Sequence, residues 1–244
     1  MSRHARFRAA FETLSDGQRF TMQWIPADRV PSRALVLLPP FGEEMNKSRR
    51  TIALAARLFA SQGIAVYAFD LAGTGDSVGE FGEATWVRWT FDARAAIAIA
   101  EQRFAVPVTI WAVRSGSLLL PGLESPLNDL LLWQPVTSGD AFLTQLLRLK
   151  VANDAFAGRD GTTTKQLRAL LAAGEILEVA GYELNPDLVL PMAAASLQSW
   201  QPGTRRVSWI ETGVESAGAL SPASQRIAEW WAASGTAVDS RHVA

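Results

Sequence analysis

Pro107-Val108-Thr109-Ile110-Trp111-Ala112-Val113-Arg114-Ser115-Gly116 is an apolar run that breaks into a small, polar turn. Pro107 opens it, and Val108–Trp111 reads as a buried strand. Arg114-Ser115-Gly116 then turns the chain into Ser117-Leu118-Leu119-Leu120, with a helix expected to start near Ser117. The same unit recurs on both sides. Ala34–Leu38 is an apolar run stopped by Pro39-Pro40. Ile64–Phe69 ends in the turn-rich Asp70–Asp76, and Asp129–Trp133 is closed by Gln134-Pro135. Helix patterns lie between: Ile52, Ala55, Ala56, Leu58 and Phe59 at helical spacing, then Thr85–Phe104 with Trp86, Trp89, Ala93, Ile97 and Ala100 on one side. Apolar strands alternating with helices of this length predict an α/β protein with a mostly parallel sheet covered on both faces. Ligands in such sheets sit beyond the carboxyl ends of the strands. The residues to watch therefore follow Leu38, Phe69, Trp111 and Trp133.

Residues 139–200 break the alternation. They carry helix patterns such as Thr164–Ala173 and no convincing strand, so they read as a helical cap or insertion between a first core part, 1–138, and a second, 201–244. Arg206–Ile210 restores a strand, Pro222–Ala233 is a helix, and Thr236–Val243 holds a last short strand.

Composition excludes several classes. The 244 residues are 48% hydrophobic and 19% charged, which fits a folded domain with a sizeable core rather than a disordered chain. A formal net charge of −1 gives no reason to expect nucleic acid. No apolar run reaches about 18 residues, so no membrane span is expected. Met1-Ser2-Arg3-His4-Ala5-Arg6 leads into no apolar signal region, and a cytoplasmic protein is the expectation. Without cysteine there is no disulfide, thiol nucleophile or thiolate site. With only His4 and His242, no metal site is expected. No phosphate-binding P-loop or complete dinucleotide fingerprint is present, so no cofactor is expected.

The order of elements resembles the α/β-hydrolase fold. Leu37-Leu38-Pro39-Pro40-Phe41-Gly42 stands where that fold has its oxyanion loop. Asp70-Leu71-Ala72-Gly73-Thr74-Gly75-Asp76-Ser77 is similar to its Asp-x-x-Gly-x-Gly-x-Ser turn. Trp111–Gly116 stands where the nucleophile elbow belongs. An elbow needs small residues two positions either side of the nucleophile. Ala112 and Gly116 are those residues, so the nucleophile position falls on Arg114, which is no nucleophile at ordinary pH. A one-residue shift puts Ser115 there, flanked by bulky Val113. The remaining triad is poor: Glu211 or Glu215 for the acid, and for the base, which that fold places after the last strand, His242 near the chain end as the one candidate. A serine without a base is weakly nucleophilic.

Arg114 needs a carboxylate partner or an anionic ligand. Glu43 and Glu44 are the partners in reach, giving either a structural pair or an anion site built from Arg114 with the Ser115, Phe41 and Gly42 amides. Phe41-Gly42-Glu43-Glu44-Met45-Asn46-Lys47-Ser48-Arg49-Arg50 packs acids, an amide and bases at the ligand edge. It also reads as a solvated helix start with Asn46 or Ser48 as N-cap. Glu43, Glu44, Arg114 and Ser115 are therefore the catalytic candidates. Phe41, Gly42, Asn46, Lys47, Arg49, Arg50, Asp76 and Gln134 are the ligand-binding candidates. Leu188–Leu197 is a candidate cover for an acyl chain.

Four stretches carry a narrower resemblance: Pro40–Arg50, Asp70–Ser77, Trp133-Gln134-Pro135-Val136 and Ala180-Gly181-Tyr182-Glu183-Leu184. They are similar to the "exosortase A system-associated hydrolase 2" family, encoded beside exosortase and exopolysaccharide genes in bacteria that make PEP-CTERM proteins. The resemblance implies a cytoplasmic hydrolase-class protein, with arginine at the elbow as a family feature. Two functions are expected on these residues. One is hydrolysis or transfer of an ester- or thioester-type acyl group on an acylated or anionic small molecule, with Glu43 or Glu44 activating water. The other is non-catalytic binding of an anionic ligand or of an exosortase-system partner.

Overall fold

A computed structural model describes residues 5–14, 16–123, 127, 129–158, 161–213 and 219–243. Its centre is an eight-stranded sheet in the order β1-β2-β4-β3-β5-β6-β9-β10. The strands are β1 (Ala5–Leu14), β2 (Gly17–Pro26), β3 (Arg33–Leu38), β4 (Ile64–Phe69), β5 (Val108–Val113), β6 (Asp129–Trp133), β9 (Arg206–Thr212) and β10 (Ala237–Val243). From β4 through β10 the pairing is parallel. β1 and β2 form an antiparallel hairpin, and β2 joins β4 antiparallel. The sheet is thus mixed and mostly parallel. No helix separates β1, β2 and β3 along the chain, so the hairpin gives no βαβ signal, which is why the alternation at Ala34–Trp133 did not reveal it.

The central strands are apolar throughout because both faces are covered. One face packs against α1 (Glu43–Ser61), through Ile52, Ala56, Ala60, Leu35, Leu37, Trp111 and Val113. The other packs against α2 (Trp86–Phe104) and α6 (Pro222–Ala233), where Trp89, Trp209 and Trp231 are fully buried. Thr85 caps α2 by accepting the Arg88 N–H, and Ala105 in the left-handed region ends it.

The segment between β6 and β9 holds three helices: α3 (Gly139–Phe156), α4 (Thr164–Ala172) and α5 (Pro186–Ala194). It also holds a two-stranded antiparallel hairpin, β7 (Leu177–Val179) and β8 (Tyr182–Leu184), turning on Ala180-Gly181 at positive φ. These strands correct the purely helical reading. They are three residues each, too short for an alternation pattern to register. In Leu188–Leu197, the candidate acyl cover, Leu188, Val189, Met192 and Leu197 are buried in the core.

Two other local expectations change. Asn46 and Ser48 are not N-caps, because α1 already starts at Glu43 with Gly42 as its N-cap residue. Gly42 has φ 59° and ψ −140°, a conformation open only to glycine. The Ser48 hydroxyl instead donates back to the Glu44 carbonyl. After β5 the chain runs as a 3-10 helix from Arg114 to Gly122, with no helix starting at Ser117.

The Asp70–Ser77 turn is built around a buried carboxylate. Asp70 Oδ2 accepts from Arg49 Nη2 (3.0 Å) and from the Asp76 amide (3.1 Å). A Cβ at Gly75 would fall 1.9 Å from that oxygen, so only glycine fits. Burial raises the Asp70 pKa above its ordinary value, while Arg49 and the Asp76 amide pull it back. A carboxyl raised in the folded state adds stability below its unfolded pKa and loses that contribution as pH rises through the folded one. The Asp70 carboxyl is expected to titrate above 3.8 by NMR, and higher still in Arg49→Met. A midpoint below 3.8 would contradict this.

Candidate active site

The strand-to-helix turn after β5 is a nucleophile elbow in shape. Ala112 is fully buried, and a Cβ on Gly116 would lie 2.2 Å from the Leu38 carbonyl oxygen of β3. Gly116→Ala is therefore expected to cost about 1–3 kcal/mol in chemical denaturation, through strain against fixed backbone. Between them, Arg114 sits at φ 50°, in the left-handed region that non-glycine residues rarely adopt. The strained position thus carries an arginine.

Its guanidinium is held by Glu44 from the first turn of α1. Arg114 Nε donates to Glu44 Oε1 at 3.0 Å and Nη2 donates to the same oxygen at 2.6 Å. The other carboxylate oxygen, Oε2, accepts from the backbone N–H of Ser115 at 3.1 Å. In an elbow that N–H is the oxyanion donor. The Phe41 N–H points at the Ser115 hydroxyl, 3.3 Å away. Ser115 is fully buried, so its hydroxyl has no open path to a substrate. Of the expected oxyanion set, the Ser115 and Phe41 amides are therefore already engaged within the protein. Glu44 is the partner of Arg114; Glu43 instead faces Lys47 (4.0 Å) and Tyr182.

Two cavities meet at this carboxylate. One, about 530 Å³, lies over the strand ends and is lined by Arg114, Val113, Trp133, Gln134 and Thr212, with Ile52 from α1. The second, about 330 Å³, lies beneath α3 and the β7–β8 hairpin. Its walls are largely apolar: Phe41, Phe81, Phe142, Leu146, Leu149 and Leu184. Glu44 and Lys47 wall both. Tyr182 reaches across from β8, its hydroxyl accepting from Asn46 Nδ2 at 2.9 Å and its ring 5.1 Å from Phe81. Burial and the neighbouring Glu43 anion raise the Tyr182 pKa, so it stays a neutral phenol at neutral pH.

The structure thus gathers Phe41, Gly42, Glu43, Glu44, Lys47, Arg114 and Gln134 around the cavities, with Ser115 directly behind. Gln134 has its side-chain oxygen engaged by the Thr212 amide at 2.6 Å. Four candidates fall outside the cavity walls. Arg49 is bound to Asp70, Asn46 bonds Tyr182, and Arg50 and Asp76 are exposed. Trp133, Thr212, Phe142, Leu146 and Tyr182 complete the walls and were not singled out from the sequence. The strand-end position was the signal for Trp133, and the Ala180–Leu184 stretch was the signal for Tyr182; Thr212, Phe142 and Leu146 carry none.

Among the described residues, the remaining triad candidates Glu211 and His242 lie on β9 and β10. Glu211 is buried and accepts from Trp209 Nε1 (3.2 Å) and the Ser221 amide (2.8 Å). Glu215 and His4 lie outside the described residues. His242 is inside β10, in register with Glu211, and does not follow the strand. β10 is three strands from β5, about 14 Å of sheet. Among the described residues no group of three or more His, Asp or Glu could hold a metal ion. No helix among them is long and apolar enough to cross a membrane.

No family model matches the chain, and no curated protein matches it. Solved structures do. Est1E from Butyrivibrio proteoclasticus, with ferulic acid bound, aligns at a TM-score of 0.70 and 14% identity over 96% of this chain and 89% of that one. A thermostable carboxyl esterase from Bacillus coagulans aligns at 0.63 and 13%, over 97% and 89%. Alpha/beta hydrolase domain-containing protein 10 from mouse aligns at 0.61 and 14%, over 97% and 89%. At this identity the likeness establishes the fold: an α/β-hydrolase fold.

Proposed function

We propose that this chain is a hydrolase-class protein of the bacterial exosortase and exopolysaccharide system, cytoplasmic, that binds an acylated anionic small molecule without forming an acyl-serine. Residues 139–200 act in this reading as the cap over the acyl part. The observation that carries it is the elbow: Arg114 occupies the strained position, and the Ser115 hydroxyl is buried behind it. A buried serine with no histidine beside it among the described residues is not an activated nucleophile. A guanidinium lining one cavity, with its partner Glu44 also walling a second, largely apolar one, suits an anion that carries a hydrocarbon chain. The exosortase context rests on the four sequence stretches named above.

Labelling the purified protein with a fluorophosphonate probe tests this reading. Intact mass is expected to show no adduct, while amphiphilic anions raise the melting temperature. An adduct on Ser115 or Ser117 would overturn it.

Glu43 supports a second reading, hydrolysis by an activated water. Its carboxylate lines the apolar cavity and faces the Tyr182 hydroxyl, a pairing suited to general-base work at the chamber mouth. Ester turnover by the wild type that disappears in Glu43→Gln would establish it.

A further inference from the structure

We propose that Glu44 is a tethered stand-in for the ligand's own carboxylate, and that the ligand is an aliphatic carboxylate which displaces it. This rests on the anion-binding reading above and goes further, naming the ligand class and the device that guards the site.

The contacts of Glu44 define what the site accepts. One carboxylate oxygen sits between Nε and Nη2 of Arg114, and the other lies on the Ser115 amide. That is one guanidinium and one N–H arranged for a single planar monoanion. The other cation in the cavity walls, Lys47, points largely to solvent, with its side chain 79% exposed. A dianionic phosphate would find too few donors here. The occupant already in place is a carboxylate, so the geometry is shown to fit one.

Position makes Glu44 a partition as well. Its side chain walls both cavities, and it is still 20% exposed. Rotating it away from Arg114 opens the apolar chamber under α3 to the guanidinium. A ligand carboxylate then takes the vacated position while its chain runs between Phe41, Phe142, Leu146 and Leu149. Because Glu44 is part of the same chain, it competes at a high effective concentration. A short carboxylate loses that competition. A longer one gains about fourfold in affinity for each methylene taken out of water.

Isothermal titration with decanoate, decanol and decyl phosphate tests the proposal on wild type, Glu44→Ala, Glu44→Gln, Arg114→Met and the Glu44→Ala/Arg114→Met double variant. Circular dichroism reports folding. Wild type is expected to bind decanoate and not decanol. Glu44→Ala is expected to bind it at least tenfold tighter and to accept butyrate as well. The gain vanishes in the double variant. Glu44→Gln keeps the side-chain shape and weakens its hold on Arg114, so it gains part of the affinity and carries the test if the alanine variant does not fold. If folded Glu44 variants bind decanoate no more tightly than wild type, the stand-in proposal falls, while Arg114-dependent binding would leave the anion-binding reading intact. Arg114-dependent binding of decyl phosphate with none of decanoate overturns the carboxylate assignment alone. No anion bound by any folded variant overturns both.

Discussion

Asp92→Ala is expected to lower the unfolding free energy by about 3–5 kcal/mol, the cost of breaking a buried ion pair from one side. Arg19 on β2 and Asp92 on α2 are both fully buried, with Nε to Oδ2 at 2.8 Å. The same Oδ2 accepts the Ala72 amide at 2.9 Å, in the turn after β4. One carboxylate thus ties the N-terminal hairpin, the Asp70–Ser77 turn and α2 together. Removing it leaves a guanidinium out of water, paired with Asp16, whose side chain is 58% exposed. Urea unfolding of the two proteins measures the difference. The double variant Arg19→Met/Asp92→Leu is expected to recover most of the loss, because it buries no lone charge. A change under about 1 kcal/mol in Asp92→Ala would show that the pair is replaceable.

Arg114→Met is expected to have the opposite profile: a large loss of binding and a small loss of stability. A ligand carboxylate bound as Glu44 is bound loses two charge-assisted hydrogen bonds, on the order of a 100-fold drop in affinity. Stability is a different matter. The Arg114 side chain is 38% exposed, so the pair with Glu44 is screened by solvent and contributes roughly 0–1 kcal/mol. Glu44 also keeps the Ser115 amide. Titration of decanoate and thermal melts on the same preparations separate the two effects. A melting point lowered far beyond the screened-pair range, with binding intact, would make Arg114 a structural clamp between α1 and the elbow.

Much of the architecture was written in local pattern. Asp129–Trp133 and Pro222–Ala233 coincide with β6 and α6. Thr85–Phe104 is α2 with its N-cap. These elements are legible because a strand buried on both faces must be apolar throughout, and a half-buried helix must repeat its apolar face. The elbow was legible too, since Ala112 and Gly116 mark close backbone approach. The β7–β8 hairpin is too short to generate a period. The N-terminal β1–β2 hairpin was missed although its strands have ten residues each. Arg19, Thr21 and Gln23 in β2 are buried and polar, so composition hid the strand. Asn46 and Ser48 resemble caps by residue type, but the Gly42 conformation starts the helix earlier.

Residue order alone sets the alternation of strands and helices, the glycines that permit the tight turns, and the presence of arginine where the elbow needs a nucleophile. These follow from side-chain size, polarity and backbone freedom along a few neighbouring residues. Which acid meets Arg114 is set by packing in three dimensions. Glu43 and Glu44 are adjacent and chemically alike, yet successive helix residues point about 100° apart. That rotation sends Glu44 to the guanidinium and the Ser115 amide, and Glu43 to the apolar chamber and Tyr182. It likewise placed Arg49 on Asp70 and His242 three strands from the elbow. Such pairings join residues far apart in the chain, and no local pattern encodes them.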